Sequence, residues 1–296
     1  MTLSNPITMK ELRSRMRGLR AILPMMAYLA VLSVFVLITF ADYGMTMQYS
    51  TLAQTGRTLG FALLYAQIFL VLILAPAYAA SAIAIEKERE TFGVMQITLL
   101  TSWGIVAGKV SSGFSYAALL AVSSLPLLSL SFWMGGFDFV NLFWGFLIIA
   151  LCAFVTSCAG ILVSTIFTRS YLATGATYGV VLVSTGLGYL SMILPGLWHQ
   201  SQMAGAKGFS WDTIPIWLGY SLNPFYMLQV LDRGSVAYFS GAGYYKNPMI
   251  DFFEHWLRQM HLPYVALHVV MSIGLGVLLL GFASGLLFRR SREDNP

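Results

Sequence analysis

The chain has 296 residues, 57% of them hydrophobic and only 10% charged. Its mean hydropathy of +0.73 excludes a water-soluble surface and places the chain in a membrane. The formal charge of +5, from 17 Lys and Arg against 12 Asp and Glu, matters less than where the cations fall, because cytoplasmic loops collect Lys and Arg. A disulfide-stapled secreted module is excluded as well: the two cysteines, Cys152 and Cys158, stand i, i+6 in an apolar run, on different helix faces, and read as packing residues.

Residues 5–21 come first. Leu12, Met16, Leu19 and Leu23 recur at i, i+4, i+7 and i+11 on one helical face, while Lys10, Arg13, Arg17 and Arg20 share another. This predicts an interfacial amphipathic helix whose apolar side sinks into the acyl boundary. Its cations would meet anionic lipid, each contributing about 1 kcal/mol. The plainer alternative is a basic anchor that only sets topology. A cleaved signal peptide is not expected, because the apolar run that follows is about 20 residues rather than 7–15 and no small-x-small site closes it.

A bilayer core of about 30 Å needs roughly 20 apolar residues at about 1.5 Å each. Six stretches free of Asp, Glu, Lys and Arg satisfy this, approximately 22–41, 59–85, 110–134, 139–167, 171–194 and 262–288. Each predicts a helix, since in lipid the backbone polar groups must be satisfied within the segment. Pro76 and Pro126 interrupt the second and third and predict kinks. The expected fold class is an all-α polytopic membrane protein: six transmembrane helices, spans one to five over 22–194 and span six at 262–288, with a tail at 289–296. A seventh uncharged stretch, 213–231, carries Pro215 and the pair Asn223-Pro224. It reads as a re-entrant or interfacial helical pair rather than a crossing.

The charges agree with six crossings. One side receives Lys10, Arg13, Arg15, Arg17, Arg20, Lys87, Arg89, Lys109, Arg169, Arg289, Arg290 and Arg292, which is 12 cations. The other receives Arg57, Lys207, Arg233, Lys246 and Arg258, which is 5, although it holds the longest loop, 195–261. Both termini are therefore expected in the cytoplasm. Trp133, Trp198, Trp211, Trp217 and Trp256 all fall on the outer side, as headgroup anchors would.

The densest polar feature lies between spans two and three: Glu86-Lys87-Glu88-Arg89-Glu90-Thr91-Phe92, then Gly93 to Leu100, then Gly108-Lys109. Glu86 and Glu90 are i, i+4, and Phe92, Met95 and Leu99 form a short apolar stripe, so a small amphipathic helix that docks on a soluble partner is expected. The alternative is a charge cluster that only stops the span from sliding.

These residues carry a resemblance. Asn5-Pro6-Ile7-Thr8-Met9-Lys10-Glu11-Leu12-Arg13 with its basic amphipathic turn resembles the elbow helix that opens the permeases of ABC-2 type transporters. Glu86-Lys87-Glu88-Arg89-x-Thr91, followed by Thr98, Leu100, Ile105 and Gly108-Lys109, resembles that family's coupling loop, E-K-E-R-x-T…T-P-L-S…I-x-x-G-K. Leu99 stands where the family usually has proline, and Gly93 where it often has an acid. The six-span layout and the long outer segment before span six match too, so the resemblance covers nearly the whole chain as one transmembrane domain, 1–296.

The resemblance implies a permease subunit of an exporter in the inner membrane of a prokaryote, paired with a second permease, identical or homologous. Two cytoplasmic ABC ATPase subunits would bind ATP and Mg. It makes Glu86, Lys87, Glu88, Arg89, Glu90, Thr91, Phe92, Met95, Thr98 and Leu99, in the loop 86–109, the ATPase-coupling residues. No catalytic residue, metal or cofactor is expected on this chain. Its nearest imitation of a phosphate-binding loop, Gly104 to Val110, is one residue short of G-x-x-x-x-G-K-[ST] and lacks the hydroxyl.

Two other classes stay open. Neither H-E-x-x-H nor G-x-S-x-G occurs, but His255, His261 and His268 cluster toward the outer end of the last span beside Asp251 and Glu254, as a membrane-embedded metal-dependent enzyme would need. Interfacial or helix-bonded histidines are the plainer reading. A proton-coupled secondary transporter would usually carry an ionisable relay at midplane, and the spans carry no Asp, Glu, Lys or Arg.

Gln67, Asn141, Thr177, Asn223, Pro224 and His268 are the candidate path or gate residues. The hydroxyls Thr156, Ser157, Ser164, Thr165, Thr174, Ser184 and Thr185 either line the same path or bond back to the carbonyl at i−4. Gly175-x-x-x-Gly179 and Gly281-x-x-x-Gly285 predict close helix contacts. The 15 methionines read as packing.

Overall fold

The computed structural model describes residues 19–46, 52–91, 101–202, 222–233 and 264–293, and all regular structure among them is helical. In chain order the helices are α1 (Leu19–Thr46), α2 (Leu52–Ala79), α3 (Ala84–Glu88), α4 (Ser102–Ser123), α5 (Leu125–Met134), α6 (Phe139–Ile166), α7 (Ser170–Gln202), α8 (Pro224–Arg233) and α9 (Tyr264–Glu293). Five segments are long and apolar enough to cross a membrane: Ile22–Ala41, Leu52–Glu88, Ser102–Met134, Phe139–Ile166 and Ala266–Arg289. The expected crossing at 171–194 is helical too, inside α7, but is not one of these five. Of the expected elbow, only residues 19–21 are described, as the backbone of the first turn of α1. Lys10, Arg13 and Arg17 lie outside the described residues, and so does the side chain of Arg20.

α6 is the central helix and packs against α2, α4, α7, α8 and α9. Its sequence explains this, because small residues occur on several faces and let neighbouring backbones approach. A Cβ on Gly145 would collide with Leu64 of α2, and one on Gly160 with Ala79 near the end of the same helix. Gly276 of α9 leaves room for the ring of Phe154 of α6 in the same way. α2 has its own close seam, where Gly56 faces the backbone at Ser131 and Gly135 and Gly60 lies under the Phe137 ring. The α5–α6 turn depends on glycine, since Gly135 and Gly136 have φ of +82° and +77° and Gly136 also presses on the Ala53 backbone.

The predicted glycine contacts are elsewhere. A Cβ on Gly175, Gly179, Gly281 or Gly285 would meet nothing within 4 Å, so neither G-x-x-x-G pair makes the expected close contact within the described chain. The spacing puts two glycines on one helix face but does not choose the face that packs.

α1 is peripheral. Tyr28, Leu32 and Val36, a stripe at i, i+4, i+8, are buried against the core, whereas Ile22, Leu23, Met26, Val34, Leu37 and Ile38 are exposed. An apolar face open on a helix of this length belongs in hydrocarbon.

The break expected at Asn223-Pro224 is present. Asn223 is the N-cap of α8: its Oδ1 accepts the N–H of Phe225 at 3.0 Å and of Tyr226 at 3.4 Å, and Pro224 follows where a missing N–H costs nothing. The ten described residues of helix reach about 15 Å. α8 lies along α2, with Phe225 stacked on Tyr65 (centroids 6.5 Å apart, planes 5° from parallel) and Asp232 paired with Arg57 at 3.3 Å. Tyr65 is eight residues beyond Arg57 on α2, so α8 begins about 12 Å deeper in the bundle than it ends. The rest of the 195–261 segment is largely outside the described residues.

Candidate functional site: the Glu86–Thr91 corner

α2 runs through Pro76 without ending there. It stops at Ala79, where the Ala80 N–H bonds Pro76 O at 2.8 Å, and a turn over 80–83 leads into the five-residue α3. The N–H groups of Ile83 and Ala84 sit at the start of that short helix, where no intrahelical acceptor exists. Ser164 of α6 supplies one: its Oγ accepts both, at 3.0 and 2.9 Å. The cap that α3 lacks in its own sequence thus comes from a helix some 80 residues downstream.

Three consecutive charged side chains then leave α3 in three directions. Successive helical residues are about 100° apart, so Glu86, Lys87 and Glu88 cannot share a face. Glu86 Oε1 accepts from Lys109 Nζ of α4 at 2.9 Å, and the same ammonium donates to Ala82 O at 3.0 Å. Lys87 Nζ donates to Ser164 O at 3.4 Å and to Thr165 O, the last carbonyls of α6, where a cation is favoured by the helix dipole. Glu88 Oε2 accepts from Ser170 N at 3.2 Å and Ser170 Oγ at 2.6 Å, at the first residue of α7, where the dipole favours an anion. One turn of helix therefore holds α4, the end of α6 and the start of α7 together.

The turn closes with a Schellman arrangement. Thr91 N bonds Glu86 O at 3.0 Å, Glu90 N bonds Lys87 O at 3.1 Å, and Glu90 has φ of 57°, the left-handed conformation that such a cap requires and that usually falls to glycine. Thr91 Oγ1 also donates to Glu86 O at 3.3 Å. Glu88, Arg89, Glu90 and Thr91 are exposed. Beside them, Arg169 donates to the Tyr171 hydroxyl at 3.1 Å, and that bond is the main reason its guanidinium is held above its ordinary range.

The sequence reading puts Lys109 at the end of a loop reaching from 86 to 109. Instead α4 starts at Ser102, with Thr101 Oγ1 capping Gly104 N at 3.2 Å. Lys109 lies two turns inside the helix and is almost wholly buried. The helix can start early because the ammonium finds an anion and a carbonyl across the corner. Gly104 to Lys109, the imitation of a phosphate loop, is consequently helical.

Of the ten coupling residues read from the sequence, Glu86 to Thr91 form this corner, while Phe92, Met95, Thr98 and Leu99 lie outside the described residues. Three residues belong to the corner that the expected set lacked: Lys109, Ser164 and Ser170. The Gly108-Lys109 pair signalled the first, and nothing local signalled the serines.

The path and gate residues are not drawn into one site by the bonds they make. Gln67 Nε2 donates to Ser124 Oγ at 2.7 Å, the Thr177 hydroxyl bonds back to Ala173 O at 2.7 Å, and Asn223 caps its own helix. Asn141 is half-buried near the start of α6, and His268 is buried in α9. Back-bonding also accounts for Thr156, Thr165, Thr174, Ser184 and Thr185. His255 and His261 lie outside the described residues, and among those described no group of three His, Cys, Asp or Glu side chains is placed to hold a metal ion.

No protein-family model and no curated protein matches this chain.

Proposed function

We propose that the chain is the membrane-spanning permease of an ABC-2 type exporter, with six crossings, both termini in the cytoplasm of a prokaryote, and ATP hydrolysis on separate subunits. The observation that carries this reading is the corner itself. A short polar turn whose exposed charges are adjacent to side chains that grip three long helices is suited to convert a push from a soluble partner into movement of those helices. The elbow-like N-terminus and the E-K-E-R-x-T run support the same assignment by resemblance. The partners are two cytoplasmic ABC ATPases binding ATP and Mg, a second permease, and anionic lipid around Lys10, Arg13, Arg17 and Arg20. In this scheme α8, seated part-way into the opposite end of the bundle, belongs to the external gate.

The test uses the chain expressed from its native locus with a purification tag. An ATPase bearing Walker A and signature motifs is expected to copurify. The double variant Arg89→Glu, Glu90→Lys changes only exposed side chains and should reduce the copurified ATPase at least several-fold, with membrane insertion and thermal midpoint unchanged. Recovery of the chain without any ATPase, or undiminished ATPase recovery with the double variant, would sink the proposal.

A further inference from the structure

The apolar segments Ser102–Met134 and Ala266–Arg289 have neighbouring ends. There α4 begins beside the last turns of α9, and the two helices share a core that includes Val106, Val110, Leu280, Ala283 and Leu287. Next to that core opens a groove of about 490 Å³, lined by Thr101, Ser102, Trp103, Ser284, Gly285 and Phe288. Small-ligand sites usually span about 300–1,000 Å³.

The lining is mostly apolar. Ser284 turns its hydroxyl back on Gly281 O at 2.9 Å, Gly285 has no side chain, and the rings of Trp103 and Phe288, 48% and 52% exposed, come from the two helices. Arg289 and Arg292 follow four residues after Gly285 and Phe288. In continuous helix they therefore stand on the groove's side of α9, about 6 Å farther along its axis. Glu293, the one acid in α9, is a further turn beyond Arg289.

Depth decides what such a groove meets. Its lining belongs to the ends of two apolar segments and the cations lie just past it, so the rings are level with the edge of the hydrocarbon and the arginines with the lipid phosphates. A second copy of α9 would bring its own arginines to the same depth, like charge against like. We propose that the groove binds one anionic phospholipid, with an acyl chain between Trp103 and Phe288 and the phosphate at Arg289 and Arg292. Two cations against one phosphate select a headgroup without an ammonium of its own. The inference needs only a bilayer around the helices and is independent of the transport reading.

The test uses the full chain in phosphatidylcholine nanodiscs to which brominated phosphatidylglycerol or brominated phosphatidylcholine is added. Quenching of Trp103 is read as the difference between the chain and its Trp103→Phe variant. Each arginine is worth about fivefold in affinity, so half-quenching is expected at a brominated phosphatidylglycerol content at least about tenfold below that of the phosphatidylcholine. Arg289→Gln combined with Arg292→Gln should bring that ratio close to one. Gly285→Leu should do the same with the thermal midpoint unchanged, because a Cβ there meets nothing within 4 Å and the side chain enters the groove. Equal quenching by both lipids in the unaltered chain means an unselective lipid annulus and overturns the proposal. Absence of quenching by either lipid means that protein, a second copy or residues 92–100, fills the groove, and overturns it too. A preference that survives either variant is equally fatal.

Discussion

Each end of the bundle carries an ion pair between helices distant in sequence, and the two pairs differ in burial. At the α3 end, Lys109 and Glu86 meet at 2.9 Å with side chains 1% and 28% exposed. At the α8 end, Arg57 and Asp232 meet at 3.3 Å with side chains 45% and 36% exposed. The buried ammonium has given up its hydration and depends on a counter-charge, so removing one partner exposes the full cost of desolvation. The open pair exchanges water for protein at little net gain. α8 is seated instead by apolar contact, through Met227 and Leu228 in the core and the Phe225 stack on Tyr65. Both ends have an apolar core, and only the α3 end adds a buried charge pair to it.

That contrast can be broken in steps. The largest effect is expected for Glu86→Ala, which leaves the Lys109 ammonium buried without its anion and should cost about 3–5 kcal/mol, read by denaturant unfolding of the detergent-solubilised chain. A loss no larger than that of the open pair would erase the distinction between the two ends. Next comes packing. Gly60→Ala drives a methyl group into the Phe137 ring and should cost about 1–3 kcal/mol, whereas Gly281→Ala enters open space and should leave the same unfolding curve where it is. Equal losses for the two glycines would contradict the assigned seams. Smallest is Arg57→Ala. Its loss should be about 0–1 kcal/mol, and the pairing energy with Asp232 from a double-mutant cycle should fall within the same range and fade with added salt. The guanidinium also lies 5.8 Å from the centroid of the Phe61 ring, so the single variant is expected to lose slightly more than the pairing energy.

Much of the fold was legible because lipid imposes simple rules. Long uncharged runs had to be helical, Asn223-Pro224 had to interrupt one of them, and Pro126 marked a break that the chain makes two residues earlier, at Ser124. The charge cluster at Glu86–Glu90 was legible as the main polar feature, but its internal use was not. Side chains three positions wide on a helix diverge, and which neighbours they meet depends on where α4, α6 and α7 end in space. The serine that caps α3 stands about 80 residues away on α6. Its hydroxyl looks no different in sequence from Thr177, which bonds back to its own helix.

The glycines make the same point. Those in the G-x-x-x-G pairs have the familiar spacing yet leave open space in the described chain where a Cβ would stand, while Gly56, Gly60, Gly145, Gly160 and Gly276 sit at the close crossings. Composition and spacing by themselves determined that this is a helical membrane protein, where its long apolar segments lie, and which short stretch concentrates its charge. Only the tertiary structure decided that Lys109 is buried in a helix, that Glu86, Lys87 and Glu88 each hold a different neighbour, and which faces close. The physical reason is that insertion into hydrocarbon is a property of one segment at a time, whereas satisfying a buried charge or an orphaned N–H needs a partner from another segment.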